Sequence, residues 1–442
     1  MQIPDNAEKI INALCENGFD SYVVGGCVRD FLLGKPVSDT DIATSALPIE
    51  TEKILRSKHI KVIETGIKHG TVTAVIDKTP YEITTFRTDG EYMDSRRPES
   101  VEFVRDIKED LKRRDFTVNA MAYNESAGLI DLFGGKDDLK DRIIRAVGDP
   151  DKRFKEDALR IMRALRFSAV LGFEIEENTK KALFENRFLL KNIAAERILT
   201  ELLKLLVGKN VLHVFDEYRE VIAVVIPELR DTFHCAQNTP WHMYTVYEHI
   251  IRAVAFAPPD SVIRLTMLLH DIGKPSVKQT DENGRDHFKT HAAAGERIAE
   301  TVLRRLKVSN EIFSKVTTLI KYHQSVENVN DIKIKRWFNK IGQEYTLSLF
   351  EVRIADLKAH NTKKAEVHAE IQTLERLKEE ALALISRGDP YRVCDLAVNG
   401  NDLMALGFSG RDIGDKLQEI LALVLEDKLK NEKSELLSYL SQ

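Results

Sequence analysis

Two aspartates spaced i, i+2, Asp39 and Asp41, follow a glycine pair, Gly25-Gly26, and a basic residue, Arg29. If Asp39-Thr40-Asp41-Ile42 is a strand, both carboxylates leave one face. Two hard oxygen donors on one face suit Mg²⁺, which holds phosphate oxygens and activates a hydroxyl for in-line attack. Tyr22-Val23-Val24 reads as a short buried strand, and Gly25-Gly26 permits a tight turn and close approach to a ligand. Val28–Leu33 then reads as a helix whose opening amides face phosphate oxygens, with Arg29 beside them. A D-x-D pair alone is more often a solvated turn. Its coupling to the glycine turn and Arg29 favours phosphate chemistry.

A second group follows at Leu111–Met121, LKRRDFTVNAM. Arg113 and Arg114 are expected to hold phosphate with Asp115 orienting them, and Asn119 to contact a ribose hydroxyl. Glu82, on a strand, is a candidate third carboxylate. Between these, Arg87, Asp89, Tyr92, Asp94, Arg96, Arg97 and Pro98 alternate charge without an apolar period. That pattern fits a mobile charged loop and an exposed salt-bridged hairpin equally.

In EDALRIMRALRF, Asp157, Arg160, Arg163 and Arg166 recur every three residues. On one helix they form a stripe slanting across a face. Standing alone, such a stripe is an ion pair and solvated arginines worth tenths of a kcal/mol. Beside a triphosphate it has a sharper use. A carboxylate accepts from the exocyclic amine of cytosine or adenine while an arginine donates to the adjacent ring nitrogen. Uracil and guanine mispair with both groups, at roughly 1–3 kcal/mol per buried mismatch. An Asp157/Arg160 pair is therefore expected to accept CTP and ATP and to reject UTP and GTP.

Histidines make a third group. His249, His270-Asp271, His291, His323 and Asp356 lie 20 to 33 residues apart, each on or near a predicted helix end. A single helical histidine is usually structural, but a converging set of imidazoles and carboxylates suits a divalent transition metal such as Mn, Fe, Ni or Co.

These residues need elements to position them. Over the first ~145 residues, short β-branched runs at Tyr22–Val24, Asp41–Ala43, Thr71–Ile76, Tyr81–Thr85, Val101–Val104 and Leu129–Asp131 alternate with helices. After Pro150 amphipathic helical patterns dominate, as in Asp157–Leu171, Ala195–Leu206, Arg297–Leu306 and Ala365–Ile385. At 442 residues the chain is long enough for about three domains. It is 43% hydrophobic and 31% charged, with a formal net charge of −5. Nothing global marks a nucleic-acid binder. Lys140–Arg166, however, carries nine Lys/Arg against five Asp/Glu, a local surplus of four positive charges. Four scattered cysteines without C-x-x-C spacing point to reduced thiols in a cytoplasm rather than to a disulfide framework. No secretory or membrane-spanning segment is expected.

The G-G-x-V-R-D…D-x-D, R-R-D-F-T-x-N-A-M and E-D-x-x-R-x-x-R blocks stand in the order and spacing of bacterial class II tRNA nucleotidyltransferases. The chain resembles this family of CCA-adding enzymes and related poly(A) polymerases over about 1–230, and again at Asp395–Gly407. The resemblance implies an α+β architecture: a small polymerase-β-like head with a mixed sheet at 1–145, then an all-α remainder. That remainder would be a neck and RNA-binding body at 146–235, a helical HD domain at 236–360, and a tRNA-binding tail at 361–442. It implies Asp39 and Asp41 as Mg²⁺ ligands and Gly26 and Arg29 as triphosphate contacts; the resemblance leaves the base open, and Asp39, assisted by the metal, is the natural candidate to help deprotonate the attacking hydroxyl. Arg114, Asp157, Arg160, Arg163 and Arg166 would bind the nucleotide and select the base. The partners implied are tRNA, ATP and CTP, without a membrane. CC-only relatives lack the loop seen at Arg87–Pro98, which disfavours CC-only addition. A-only addition and poly(A) synthesis remain as alternatives. The histidine segment resembles an HD phosphohydrolase domain, with His249, His270, Asp271 and Asp356 as core ligands and His291 and His323 as those of two-metal members. Lys274 would meet a phosphate there. A phosphohydrolase with a non-catalytic RNA-binding head is the alternative from another class.

Overall fold

The computed structural model describes residues 3–37, 40–67, 70–89, 101–325 and 330–441. They form two compact units, Met1–Val225 and Ile226–Gln442.

In the first unit the strands are β1 Ser21–Val24, β2 Ile42–Thr44, β3 Lys61–Gly66, β4 Thr71–Ile76, β5 Thr79–Thr85, β6 Arg87–Asp89, β7 Val101–Phe103, β8 Met121–Asn124 and β9 Gly128–Asp131. Seven form one mixed sheet in the order β3-β4-β5-β2-β1-β8-β9, and β6 and β7 pair separately. Only β2 and β5 run parallel in that sheet. All four residues of β1 are buried between β2 and β8, which its Tyr-Val-Val composition suits. Tyr22 and Val24 pack with Ala43, Phe86, Leu111 and Ala122. The amphipathic helix Asp5–Glu16 buries Ile10, Ile11 and Leu14.

Three expectations change. The strand at the aspartates begins at Ile42, one residue past Asp41, and Asp39 lies outside the described residues. The segment Arg87–Phe103 has antiparallel arms, Arg87–Asp89 and Val101–Phe103, as a hairpin would; Tyr92, Asp94, Arg96, Arg97 and Pro98 lie outside the described residues. The expected helix Asp157–Leu171 is an α-helix at Leu159–Phe167 continued by a π-turn at Ser168–Gly172, and Asp157 lies outside it, at the junction with a preceding helix, Pro150–Glu156. Asp157 is extended (φ −138°, ψ 101°), and its carboxylate accepts from the Leu159 N–H at 3.1 Å. An aspartate that bonds the N–H two residues on holds itself extended while the apolar period runs on, so the pattern did not show that Asp157 stands outside the helix.

The second unit is helical. Thr245 and Glu248 form a capping box that opens Val246–Phe256, and Asp260 caps Ser261–Leu269. These two helices pack with Asn310–Tyr322 and Gln343–Lys358. Residues near the C-terminus have their own core of Leu396, Leu403, Ile420, Leu421 and Leu436. Among the described residues no helix is long and apolar enough to cross a membrane.

The turn after His270-Asp271 is fixed by Gly273. A Cβ at this position would lie 2.4 Å from the Gly295 nitrogen and 2.6 Å from the His291 carbonyl oxygen. Backbone on backbone cannot yield as a flexible side chain does. Gly273→Ala is expected to cost about 2–3 kcal/mol and to separate His270 and Asp271 from His291. Thermal melting together with metal content checks this, and a variant with both unchanged contradicts it.

Candidate functional site

A cleft of about 590 Å³ in the first unit is lined by residues from all three sequence blocks: Gly26 and Arg29; Arg114 and Asn119; Asp157, Arg160, Arg163 and Arg166. Asp41 and Arg197 also line it. The glycine turn leads into a helix at Gly26–Leu32, starting two residues earlier than expected. Gly25 has φ +74°, and a Cβ on it would lie 2.8 Å from Arg114 Nη1, so only glycine lets the turn sit under that guanidinium.

Each arginine is held by a carboxylate, and Arg113 and Arg114 share one. Arg29 donates to both oxygens of Asp30 (2.9 and 2.8 Å) and to Asn119 Oδ1 at 2.6 Å. Arg113 and Arg114 pair with Asp110 at 2.8 and 3.4 Å. Arg163 Nε donates to Asp115 at 2.7 Å, and Arg166 pairs with Glu201 at 3.1 Å. Arg160 donates to Glu156 at 2.9 Å and to the Arg113 carbonyl at 2.7 Å. Arg197 donates to Asp157 at 2.9 Å. Phe167 lies under three of them, its ring centre 5.3, 5.4 and 4.2 Å from the guanidinium carbons of Arg29, Arg163 and Arg166.

Burial opposes charge on Asp115, but the Arg163 guanidinium and the Asn119 amide outweigh it and hold the carboxyl down at about 2. Asp110 is likewise lowered, with Arg113 and Arg114 overcoming its burial. Two buried donors in the cleft, Arg114 Nε and Arg197 Nη1, have no acceptor among the described residues.

Two assignments need correction. Asp115 does not orient Arg113 and Arg114; Asp110 does, one helical turn earlier, while Asp115 holds Arg163 and Asn119. Asp157 does not share a helix face with Arg160 but faces Arg197 across the junction. Glu82 is exposed on β5, one residue before Ile83, which pairs with Ile42; its register is therefore level with Asp41. Arg197 and Glu201 escaped the sequence reading. Glu201 did leave a signal, being a charge between Ile198, Leu202 and Leu205 on the buried stripe of its helix.

The second unit brings the histidines together. His249, His270, Asp271 and Asp356 offer ligand atoms within 4.8 Å of one another, and so do Asp271, His291 and His323, so Asp271 is common to both groups. All six are buried. His249 Nε2 is 3.0 Å from Asp356 and 3.3 Å from Asp271. Burial lowers His291, and lowers His323 to about 3, keeping both imidazoles in the neutral form that binds metal. Burial also works against charge on His270, but Asp271 and Asp356 pull it up to about 10, a proton's place that a divalent cation suits. The chemistry of this donor set, imidazoles with carboxylates, fits a divalent metal ion, which these residues would hold. Unforeseen were His242 and His360, which form a third group with His249.

The fold and the arginine cleft define the class: a nucleotidyltransferase head followed by a largely helical remainder. Residues 21–145 match the poly A polymerase head domain, and 172–232 match the "Probable RNA and SrmB- binding site of polymerase A". Residues 287–440 match tRNA nucleotidyltransferase domain 2; none of these models names the histidine group. The CCA-adding enzyme of Geobacillus thermodenitrificans is 55% identical over 199 residues, 45% of this chain and 48% of that protein. Several curated relatives match in this way, over about half their length. That of Lactobacillus helveticus is 34% identical over 448 residues, 99% of this chain and 98% of that protein. The crystal structure of the Bacillus stearothermophilus CCA-adding enzyme in complex with CTP superposes with a TM-score of 0.72 at 32% identity, covering 100% of this chain and 97% of that one. The chain belongs to the family of CCA-adding enzymes.

The Asp115–Arg163 pair yields a signed prediction. Its carboxyl titrates below the ordinary 3.8, so its stabilisation is present above about pH 4 and lost as pH falls towards 2. Asp115→Asn is expected to lose about 3 kcal/mol at pH 7, with the deficit shrinking below pH 4. Urea unfolding across that range measures it; a deficit independent of pH contradicts the assignment.

Proposed function

We propose that this chain extends the 3′ end of tRNA with C, C and A from CTP and ATP. The attacking 3′ oxygen bonds to the α-phosphorus, the bond to the β-phosphate oxygen breaks, and pyrophosphate leaves. Asp39 and Asp41 are the residues that would hold Mg²⁺, which supplies charge neutralisation on the phosphates and lowers the pKa of the hydroxyl. Asp39 takes the hydroxyl proton. Arg29 and Arg114 hold triphosphate oxygens, Asn119 meets the ribose, and Arg163 and Arg166 supply positive potential along the cleft. Asp157 and Arg160 read the base, so that protein replaces a template strand. The observation that carries this reading is a cleft lined by arginines from three sequence blocks. Family membership supports it.

The division into head (1–145), neck and body (146–235), HD domain (236–360) and tail (361–442) belongs to the same reading. A cytoplasmic setting suits four cysteines that are all free thiols. For the second unit, a transition-metal pair at the six clustered ligands would make a phosphohydrolase, with Lys274 at the phosphate and damaged RNA ends as substrate. The buried ligand set shared through Asp271 supports it.

Three tRNA transcripts, ending before CCA, after the first C and after the second C, test the transferase when given Mg²⁺ and single or paired nucleotides. C, C and A followed by arrest is expected, with no use of UTP or GTP. Asp41→Ala is expected to fall roughly a thousandfold, about 4 kcal/mol of barrier. A-only addition would make the chain half of a divided pathway, and no addition would reduce the head to a binding module. For the second unit, His270→Ala is expected to abolish both metal retention and phosphatase or phosphodiesterase turnover. Turnover that survives the substitution contradicts the metal reading.

A further inference from the structure

The helix Asp331–Ile341 in the second unit has two unlike sides. Ile334, Lys335 and Phe338 are buried, and Lys335 reaches Asp427 at 2.9 Å and Asp389 at 3.5 Å. Lys333, Arg336, Trp337 and Lys340 stand at i, i+3, i+4 and i+7, so they leave one face together. The three cations of that face are exposed and the indole is half-buried. Asp331, the only carboxylate of the helix, precedes Lys335 by four residues and Phe338 by seven, which puts it on the buried side.

A second aromatic completes the face. Tyr322, the last residue of the helix Asn310–Tyr322, meets Trp337 edge to face, with ring centres 5.1 Å apart and planes at 75°. Lys340 Nζ stands over both rings, 4.3 Å from the centre of Tyr322 and 5.3 Å from that of Trp337. Lys321 Nζ lies 5.9 Å from the Tyr322 ring and 3.3 Å from Glu296, and Arg336 pairs with Glu426. Two half-buried rings and a run of cations thus share one surface. Neither the nucleotide cleft nor the histidine group uses any of them.

We infer that this face binds an unpaired stretch of RNA, with bases stacked on Trp337 and Tyr322 and phosphates at Lys333 and Lys340. The cations select a polyanion. The rings decide which one, because a planar base stacks on an aromatic face, whereas an acidic peptide would use the cations and leave the rings idle. A membrane surface would need the apolar side of the helix, which is already buried in the core. A duplex keeps its bases stacked inside, out of the rings' reach. An exposed cation–π contact is weaker than a stacked base, so a base displaces the Lys340 ammonium from the rings, and the flexible stem carries the charge to the adjacent phosphate. Membership of the CCA-adding family supports RNA as the strand. The inference does not rest on the transferase reading, whose cleft residues belong to the first unit.

The chain has two tryptophans, so Trp241→Phe in the full chain leaves Trp337 as the one reporter, and it senses this face alone. Its fluorescence is titrated with an adenylate octamer, an RNA duplex of the same length and poly-glutamate, at several salt concentrations. Quenching by the single strand only is expected. Lys340→Gln is expected to weaken that binding about fivefold and to flatten the slope of log K against log salt by about 0.7. Tyr322→Leu is expected to weaken it about fivefold with the slope unchanged, because it removes stacking and no charge. No quenching by the single strand overturns the inference, as does equal quenching by the duplex or by poly-glutamate. Unchanged affinity in Lys340→Gln, or in a folded Tyr322→Leu, overturns it too. If Tyr322→Leu does not fold, Lys340→Gln decides alone.

Discussion

The first unit depends on one constraint: several guanidinium groups must stand side by side in a cleft without driving it open. Like charges a few ångströms apart repel strongly where water is scarce. The chain meets this by pairing every arginine with a carboxylate, one of them shared: Asp30 for Arg29, Asp110 for both Arg113 and Arg114, Asp115 for Arg163, Glu201 for Arg166, Glu156 for Arg160 and Asp157 for Arg197. Phe167 gives three of the cations a common apolar floor.

The second unit solves the opposite problem with the same means. Two buried aspartates, Asp271 and Asp356, need positive charge, and Lys274, Arg353 and the histidines surround them. Burial pushes both carboxyls up, but these neighbours outweigh it and hold them well below the usual range, in the ionised state a cation requires. Gly273 allows the turn that carries His270 and Asp271 to sit directly on the backbone of the helix that carries His291.

Much of this was legible in the sequence, and the limits are physical. Motif residues carry their chemistry in their type, so Arg29, Arg114, Arg160, Arg163 and Arg166 could be grouped by block, and they do line one cleft. β1 could be read because a buried central strand is continuously apolar. Partner choice could not. Whether Asp115 or Asp110 takes Arg114 depends on a helical turn's rotation, and both are neighbours in sequence. The extended conformation of Asp157, which takes it off the helix that carries Arg160, was hidden because it leaves the apolar period intact. β8, Met121–Asn124, is too short and too rich in helix formers to announce itself. His242 and His360 were missed because they join the cluster from a loop and from the residue just past a helix cap.

The central claim is that the protein surface, and not a nucleic-acid strand, distinguishes the bases. It is tested most directly by equilibrium binding of CTP, ATP, UTP and GTP to the full chain with Mg²⁺ and no tRNA. The account predicts CTP and ATP bound at least tenfold more tightly than UTP and GTP, the ratio that about 1.4 kcal/mol of mispaired hydrogen bonding sets. Four equal affinities would contradict it and move base selection to the RNA.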